Sequence, residues 1–255
     1  MSRRRPRYLI VNADDFGQSP GVNRGIIEAH ERGIVTSASL MVRWPAAVDA
    51  AAYSRKHPEL SLGLHFDFGE WACRNGTWEK LYEVVPEDDI SAVAEEASRQ
   101  LATFRRLVGR DPTHIDSHQH AHRAKSMRSL FVEIARQHAV PLRGVSPEVH
   151  YSGKFYGQND EGWPFPECIS VDAFITILAE LPPGFVELGC HPGAGNDLDS
   201  MYLGEREQEV KALCDPRVRA AIADMKIELC SFRDVVVRWA DTRLRTADRR
   251  RARHR

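Results

Sequence analysis

Short apolar runs alternate with helix-periodic segments along the whole chain, and the apolar runs tend to end on an aspartate or a histidine. Tyr8 to Asn12 leads into Ala13-Asp14-Asp15-Phe16-Gly17, and a helical pattern through Val22, Ile26, Ile27 and Ala29 follows. Ser19 suits the N-cap of that helix, Pro20 its first position, and Gly33 its end, before a second apolar run from Ile34 to Val42. The unit recurs. Helical residues 45 to 56 precede a strand at Leu60 to Phe66, and a long helix near 88 to 108 precedes His114 to Ser117. Helix 126 to 138 precedes Leu142 to Val145, helix 171 to 181 precedes Phe185 to Cys190, and helices from about 205 to 225 precede Ile227 to Phe232. Strands that alternate with helices build a parallel sheet, so the pattern predicts an α/β fold with about seven parallel strands, open or closed into a barrel.

At 255 residues the chain fits an α/β barrel folded as one unit. We expect a single catalytic domain over 1–242, with a loop over the site near 146–170, where Gly, Pro and aromatic residues replace any clear period. Residues 243–255 form an arginine-rich end that reads as a solvated tail, so no nucleic-acid partner is expected. No stretch approaches the roughly 20 apolar residues that span a bilayer. The apolar run after Arg3, Arg4 and Arg5 is too short for a signal peptide, and the expectation is a cytoplasmic protein without a membrane partner. Five scattered cysteines with no CxxC pair argue against a disulfide framework or a cysteine metal site.

In parallel α/β folds chemistry gathers at the carboxyl ends of the strands. Those ends carry Asp14-Asp15, His65-Phe66-Asp67, Asp116-Ser117-His118 and His191-Pro192-Gly193. Two adjacent buried carboxylates repel unless one is protonated or a cation joins them. His114, His118, His120 and His122 crowd around Asp116, which could accept a hydrogen bond from a ligating imidazole. On a strand, His114, Asp116 and His118 would share a face. A site of two histidines and one carboxylate keeps coordination positions open, as catalytic divalent sites do. His191 reads equally as a general acid or as a rim histidine. No GxSxG elbow, Walker loop or dinucleotide-binding glycine fingerprint is present.

Four motifs taken in order, Asn12 to Gly17, Gly63-Leu64-His65, Pro112 to His120 and Cys190-His191-Pro192-Gly193, make the chain resemble the YdjC-like carbohydrate deacetylases from about residue 8 to 235. The resemblance implies a distorted, TIM-like (β/α) barrel and a hydrolase that removes N-acetyl groups from an N-acetylated sugar, such as a chitobiose-type oligosaccharide. It implies one divalent ion (Mg2+ or Zn2+, with Co2+ or Mn2+ as alternatives) held by Asp15, His65 and His118. Asp14 is then the general base and His191 the acid. Where the family pattern has a further histidine after His118, this chain has Gln119, a change expected to touch substrate or the surroundings of the metal. Asp116 and His120 are candidates for substrate contact. Phe155 or Tyr156 would either stack on a pyranose or serve packing. A metal phosphoesterase, with Asp67, Asp116 and His120 around a second ion, and a non-catalytic sugar-binding protein are the competing readings. The expected partner is a small sugar, and a homodimer is compatible with the sequence.

Overall fold

The computed structural model describes residues 5–74, 76–159 and 161–238; the tail expected over 243–255 lies outside them. Strand β1 (Arg7–Phe16) leads to helix α1 (Pro20–Glu31), β2 (Ser37–Leu40), α2 (Ala47–Lys56) and β3 (Ser61–Phe66). A hairpin, β4 (Gly69–Arg74) and β5 (Thr77–Glu83), interrupts the alternation before α3 (Ile90–Val108) and β6 (Ile115–Ser117). Then come α4 (Arg128–His138), β7 (Val149–Ser152), α5 (Val171–Glu180), β8 (Gly184–Cys190), α6 (Gly204–Cys214), α7 (Pro216–Asp224) and β9 (Ile227–Leu229). Local chemistry sets the helix ends. Ser19 caps α1 by accepting from the Val22 N–H, with Pro20 in the first turn. Asp89 caps α3, which closes on Gly109 in the left-handed region at φ 78°.

Seven strands form one parallel sheet in the order β6-β3-β2-β1-β8-β7, with β9 pairing the start of β1. Its central strands are buried along nearly their whole length, as strands with helices over the sheet require. The sheet is curled into a half-barrel. Strands β6 and β8 stand four places apart, roughly 19 Å in a flat sheet. Yet Nη2 of Arg143 lies 2.8 Å from Asp116 on β6 and 2.7 Å from Glu187 on β8. Only a sheet rolled around that guanidinium can meet both distances.

The sheet has the expected number of strands but not the expected set. Leu142 to Val145 is not a strand: Leu142 makes one isolated bridge to Ile115, and the chain then turns at Gly144, φ 64°. That turn keeps Arg143 inside the barrel, paired with three carboxylates and packed on the Tyr151 ring. The seventh strand is instead β7, within the segment expected to be loop, where four residues are too few to show a period. The antiparallel pair β4–β5 was also not anticipated, although Asn75-Gly76 between two tryptophan-bearing runs is a hairpin signal. Among the described residues, no helix is long and apolar enough to cross a membrane.

Arg143→Met should lower the free energy of unfolding by at least about 3–5 kcal/mol, because three buried carboxylates lose their shared cation. The measurement is the urea midpoint; a midpoint equal to wild type would show that the half-barrel closes without the guanidinium.

Candidate active site

Asp14 and Asp15 should point to opposite faces of β1, because strand side chains alternate. They do not, since the register against β2 shifts between Ala13 and Phe16 and Asp15 takes a left-handed φ of 65°. This bulge turns both carboxylates into the barrel mouth. Each then meets its own cation. Asp14 accepts from Nη1 of Arg143 at 2.5 Å and from Nη2 at 2.6 Å, with Asn12 Nδ2 donating at 2.9 Å. Asp15 accepts from Nη2 of Arg206, on α6, at 2.7 Å. Burial favours the neutral acid in both, but Arg143 outweighs it for Asp14, and Arg206 with His118 and His65 outweighs it for Asp15. Both are carboxylates at neutral pH.

His65 and Asp116 are register partners on β3 and β6. Their side chains therefore share a face, and His65 Nδ1 lies 2.7 Å from Asp116 Oδ1. This bond leaves His65 Nε2 facing Asp15 Oδ1 at 3.3 Å. His118 begins the 3-10 turn after β6 and places Nδ1 3.1 Å from the same oxygen. One ligand atom from each of Asp15, His65 and His118 lies within 4.8 Å of the others. His118 Nε2 is buried with no hydrogen-bond partner, the closest carboxylate being Glu70 Oε2 at 3.6 Å. Three convergent donors, one imidazole oriented by a carboxylate and one with an unsatisfied nitrogen suit a divalent ion. In the protein alone, protons offset the charge instead. Burial disfavours protonation of His65, but Asp116, Asp15 and Asp14 outweigh it and hold its pKa up at about 9. His118 is likewise pushed up by Asp15 and Glu70 against burial.

The remaining histidines divide by position. His114 lies under the site, stacked on Phe232 with centroids 3.8 Å apart, and its Nε2 reaches Ser39 Oγ at 3.1 Å. A Cβ on Gly63 would strike its ring at 2.5 Å, so only glycine fits on β3 there. His114 and Asp116 both meet Ser39, whereas His118 has left the strand, so the three expected on one face are split. His122 pairs with Ser117 Oγ and Arg143 O, stapling the turn. His120 lines the cavity, 3.3 Å from the Tyr151 hydroxyl, with its Nδ1 unpartnered. His191, at the end of β8, sets Nε2 3.7 Å from Asp14 Oδ2 and packs edgewise on Tyr156 and Tyr202. Burial is the main reason its pKa falls to about 4.

These groups form the floor of a cavity of about 530 Å³, within the usual range for small-molecule sites. Of the residues expected at substrate, Tyr156 lines the wall, stacked on Tyr202. Phe155 borders the same cavity but is fully buried, with its ring edge-on to Phe174, an arrangement of packing. Asp116 is also fully buried, its oxygens taken by His65, Ser39 and Arg143, so it orients His65 and cannot reach substrate. Four residues of the site were not found from sequence: Arg143, Glu187, Arg206 and Glu70. Glu187 carried a signal, a charge inside the apolar run Phe185 to Cys190 that must find a partner when buried, and Arg143 carried the same one inside the run Leu142 to Val145.

Two imidazoles should titrate at opposite extremes in the metal-free protein. His65 should lose its proton near pH 9, while His114, which burial drives down to about 3, should stay neutral from pH 5 to 8. Histidine NMR titration reads both, and a His114 midpoint near 6.5 would contradict its burial against Phe232.

The model of the YdjC-like protein family matches residues 8–224. A carbohydrate deacetylase of Geobacillus stearothermophilus is 34% identical, covering 90% of this chain and 98% of its own. A chitooligosaccharide deacetylase of Serratia marcescens is also 34% identical, covering 90% and 99%. A crystal structure from Enterococcus faecalis V583, provisionally described as a cellobiose-phosphate cleavage protein, superposes with a TM-score of 0.73 at 25% identity, over 90% of this chain and 99% of that one. A family 4 carbohydrate esterase from Streptomyces lividans shares the fold at TM-score 0.53 and 13% identity, over 89% and 92%. A match over most of the length, with relatives at this identity, means that the chain belongs to the YdjC-like protein family.

Proposed function

We propose that the protein is a metal-dependent hydrolase that removes the acetyl group from an N-acetylated sugar. The observation that carries this reading is the buried cluster of Asp15, His65 and His118 on the floor of a cavity that also holds Asp14 and His191. The names of the relatives supply the substrate class.

Asp15, His65 and His118 would hold one divalent ion, with Asp116 fixing the His65 ring. Such an ion supplies Lewis acidity toward a carbonyl oxygen and makes an attacking water more acidic. Asp14 is held by Arg143 so that its carboxylate faces the cavity, and it takes the proton of the attacking water. Arg143 positions this base but also weakens it, so it serves only a water whose acidity is already raised. His191 is neutral at rest, so the proton it delivers to the departing amine must arrive during turnover. Asp14 Oδ2, 3.7 Å from His191 Nε2, is the adjacent source. The products are acetate and the free amine.

The competing readings receive less support. A second ion near Asp14, His65 and Asp116 would have to displace the Arg143 guanidinium, which already neutralises that group. Asp67 is paired with Arg43 at 2.8 Å. Among the described residues lining the cavity, Arg206 is the one Lys or Arg, and it is committed to Asp15.

Asp14→Asn should lower kcat for acetate release by about 10²–10⁴, the usual weight of general-base catalysis, while metal affinity changes only severalfold. Wild-type turnover in that variant would remove Asp14 from the mechanism. Apparent affinity for zinc should rise with pH up to about 9, roughly tenfold per unit for each displaced proton, because the ion must expel the proton His65 holds. Calorimetry in buffers of different ionisation enthalpy counts those protons, and an affinity independent of pH would exclude His65 as a ligand.

A further inference from the structure

Both imidazoles of the metal cluster turn one nitrogen toward the same atom, Asp15 Oδ1: His65 Nε2 at 3.3 Å and His118 Nδ1 at 3.1 Å. Each turns its other nitrogen toward a second carboxylate. For His65 that group is Asp116, 2.7 Å from Nδ1. For His118 it is Glu70, whose Oε2 lies 3.6 Å from Nε2. The two nitrogens of an imidazole lie on different edges of the ring, so Asp15 and Glu70 face His118 from different sides. Glu70 is accordingly not one of the group whose donor atoms all lie within 4.8 Å of one another, which is Asp15, His65 and His118.

The hairpin β4–β5 brings Glu70 there. Alternation along β4 buries Glu70 and Ala72 and exposes Trp71 between them. The Trp71 backbone is bonded twice by Gln119, whose Oε1 accepts from the Trp71 N–H at 2.9 Å and whose Nε2 donates to the Trp71 carbonyl at 2.7 Å. Gln119 follows His118 directly and has a left-handed φ of 47°, so the hairpin grips the strained turn that presents His118. Gln18 steers the carboxylate. Its Nε2 donates to Glu70 Oε2 at 3.5 Å, and its Oε1 accepts from Nη2 of Arg206 at 3.5 Å. Glu70 is 6% exposed, and among the described residues His118 is its one ion-pair partner. A carboxylate so buried needs a donor, and His118 Nε2, buried without a hydrogen-bond partner, needs an acceptor. An imidazole that gives Nδ1 to a cation carries its proton on Nε2, and the two needs then meet. A small side-chain rotation that shortens the 3.6 Å separation to about 3 Å completes the bond.

We propose that Glu70 is the positioning carboxylate of His118, as Asp116 is of His65, so that His118 holds the ion through Nδ1 while its Nε2–H donates to Glu70. The inference rests on the metal site of the deacetylase reading, and not on its substrate. Zinc affinity of the full-length protein, measured by competition with a chelator, should fall about 10- to 100-fold in Glu70→Ala, the usual weight of such a partner. Glu70→Gln, whose amide oxygen still accepts, should recover most of that loss. Both variants loaded with cobalt should keep the wild-type visible absorption bands, because the ligands are unchanged; bands shifted in both would make Glu70 a ligand and overturn the assignment. Long-range proton–nitrogen NMR of the zinc-loaded wild type should find His118 protonated on Nε2. The opposite tautomer, or zinc affinity equal to wild type in both variants, overturns the assignment alone. In the second case a lower melting temperature of the metal-free variants would reduce Glu70 to a fastening of the hairpin. A wild-type protein that takes up no zinc overturns the metal site and this assignment together.

Discussion

The guanidinium of Arg143 stands at the centre of the half-barrel, and three strands are arranged around it. It meets Asp14 from β1, Asp116 from β6 and Glu187 from β8, all buried. Arg143 and the protonated His65 beside Asp116 face three carboxylates, which leaves the group short of compensation, and Glu187, which burial drives up to about 7, takes part of that strain. Such an arrangement is poor at stabilising a fold compared with apolar packing, but removing its cation is severe. The geometry it enforces is specific. Because the guanidinium is planar and small, the sheet must curl to reach it, and the strand ends that carry Asp15, His65 and His191 converge as a consequence.

The bulge after Ala13 divides two adjacent aspartates between two environments. Asp14 belongs to Arg143 and faces His191; Asp15 belongs to Arg206 and faces His65 and His118. Residues of the same type, one position apart, thereby acquire distinct surroundings, and neither role is visible in the dipeptide. The imidazoles divide in the same way. Carboxylates raise His65 and His118, whereas burial lowers His114, His120 and His191. The site thus contains a proton-rich pair beside the aspartates and a neutral set that packs or lines the cavity.

The hairpin joins the floor of the site to its mouth. Successive residues Glu70 and Trp71 meet successive residues His118 and Gln119, the first pair by charge and the second through backbone bonds. Gln119 therefore holds an element of the cavity wall through the Trp71 backbone. Packing of Phe155 against Phe174 anchors the other wall, to which Tyr156 and the buried Gln158 also belong.

Local physics made much of this legible in the sequence. The alternation of apolar runs with helical periods determined a parallel α/β sheet, the caps at Ser19 and Pro20 determined where α1 begins, and the strand-end rule singled out Asp14, Asp15, His65, His118 and His191, which the fold brings together. Those signals depend on residues a few positions apart. Only the tertiary structure decided that Arg143 turns inward, that Arg206 faces Asp15, that Asp116 serves His65, and that β7 replaces the expected strand at Leu142 to Val145. The partners concerned lie 129 residues apart for Arg143 and Asp14 and 191 for Arg206 and Asp15. Which charge compensates which is fixed by the curl of the sheet, a property of the whole chain that no local period encodes.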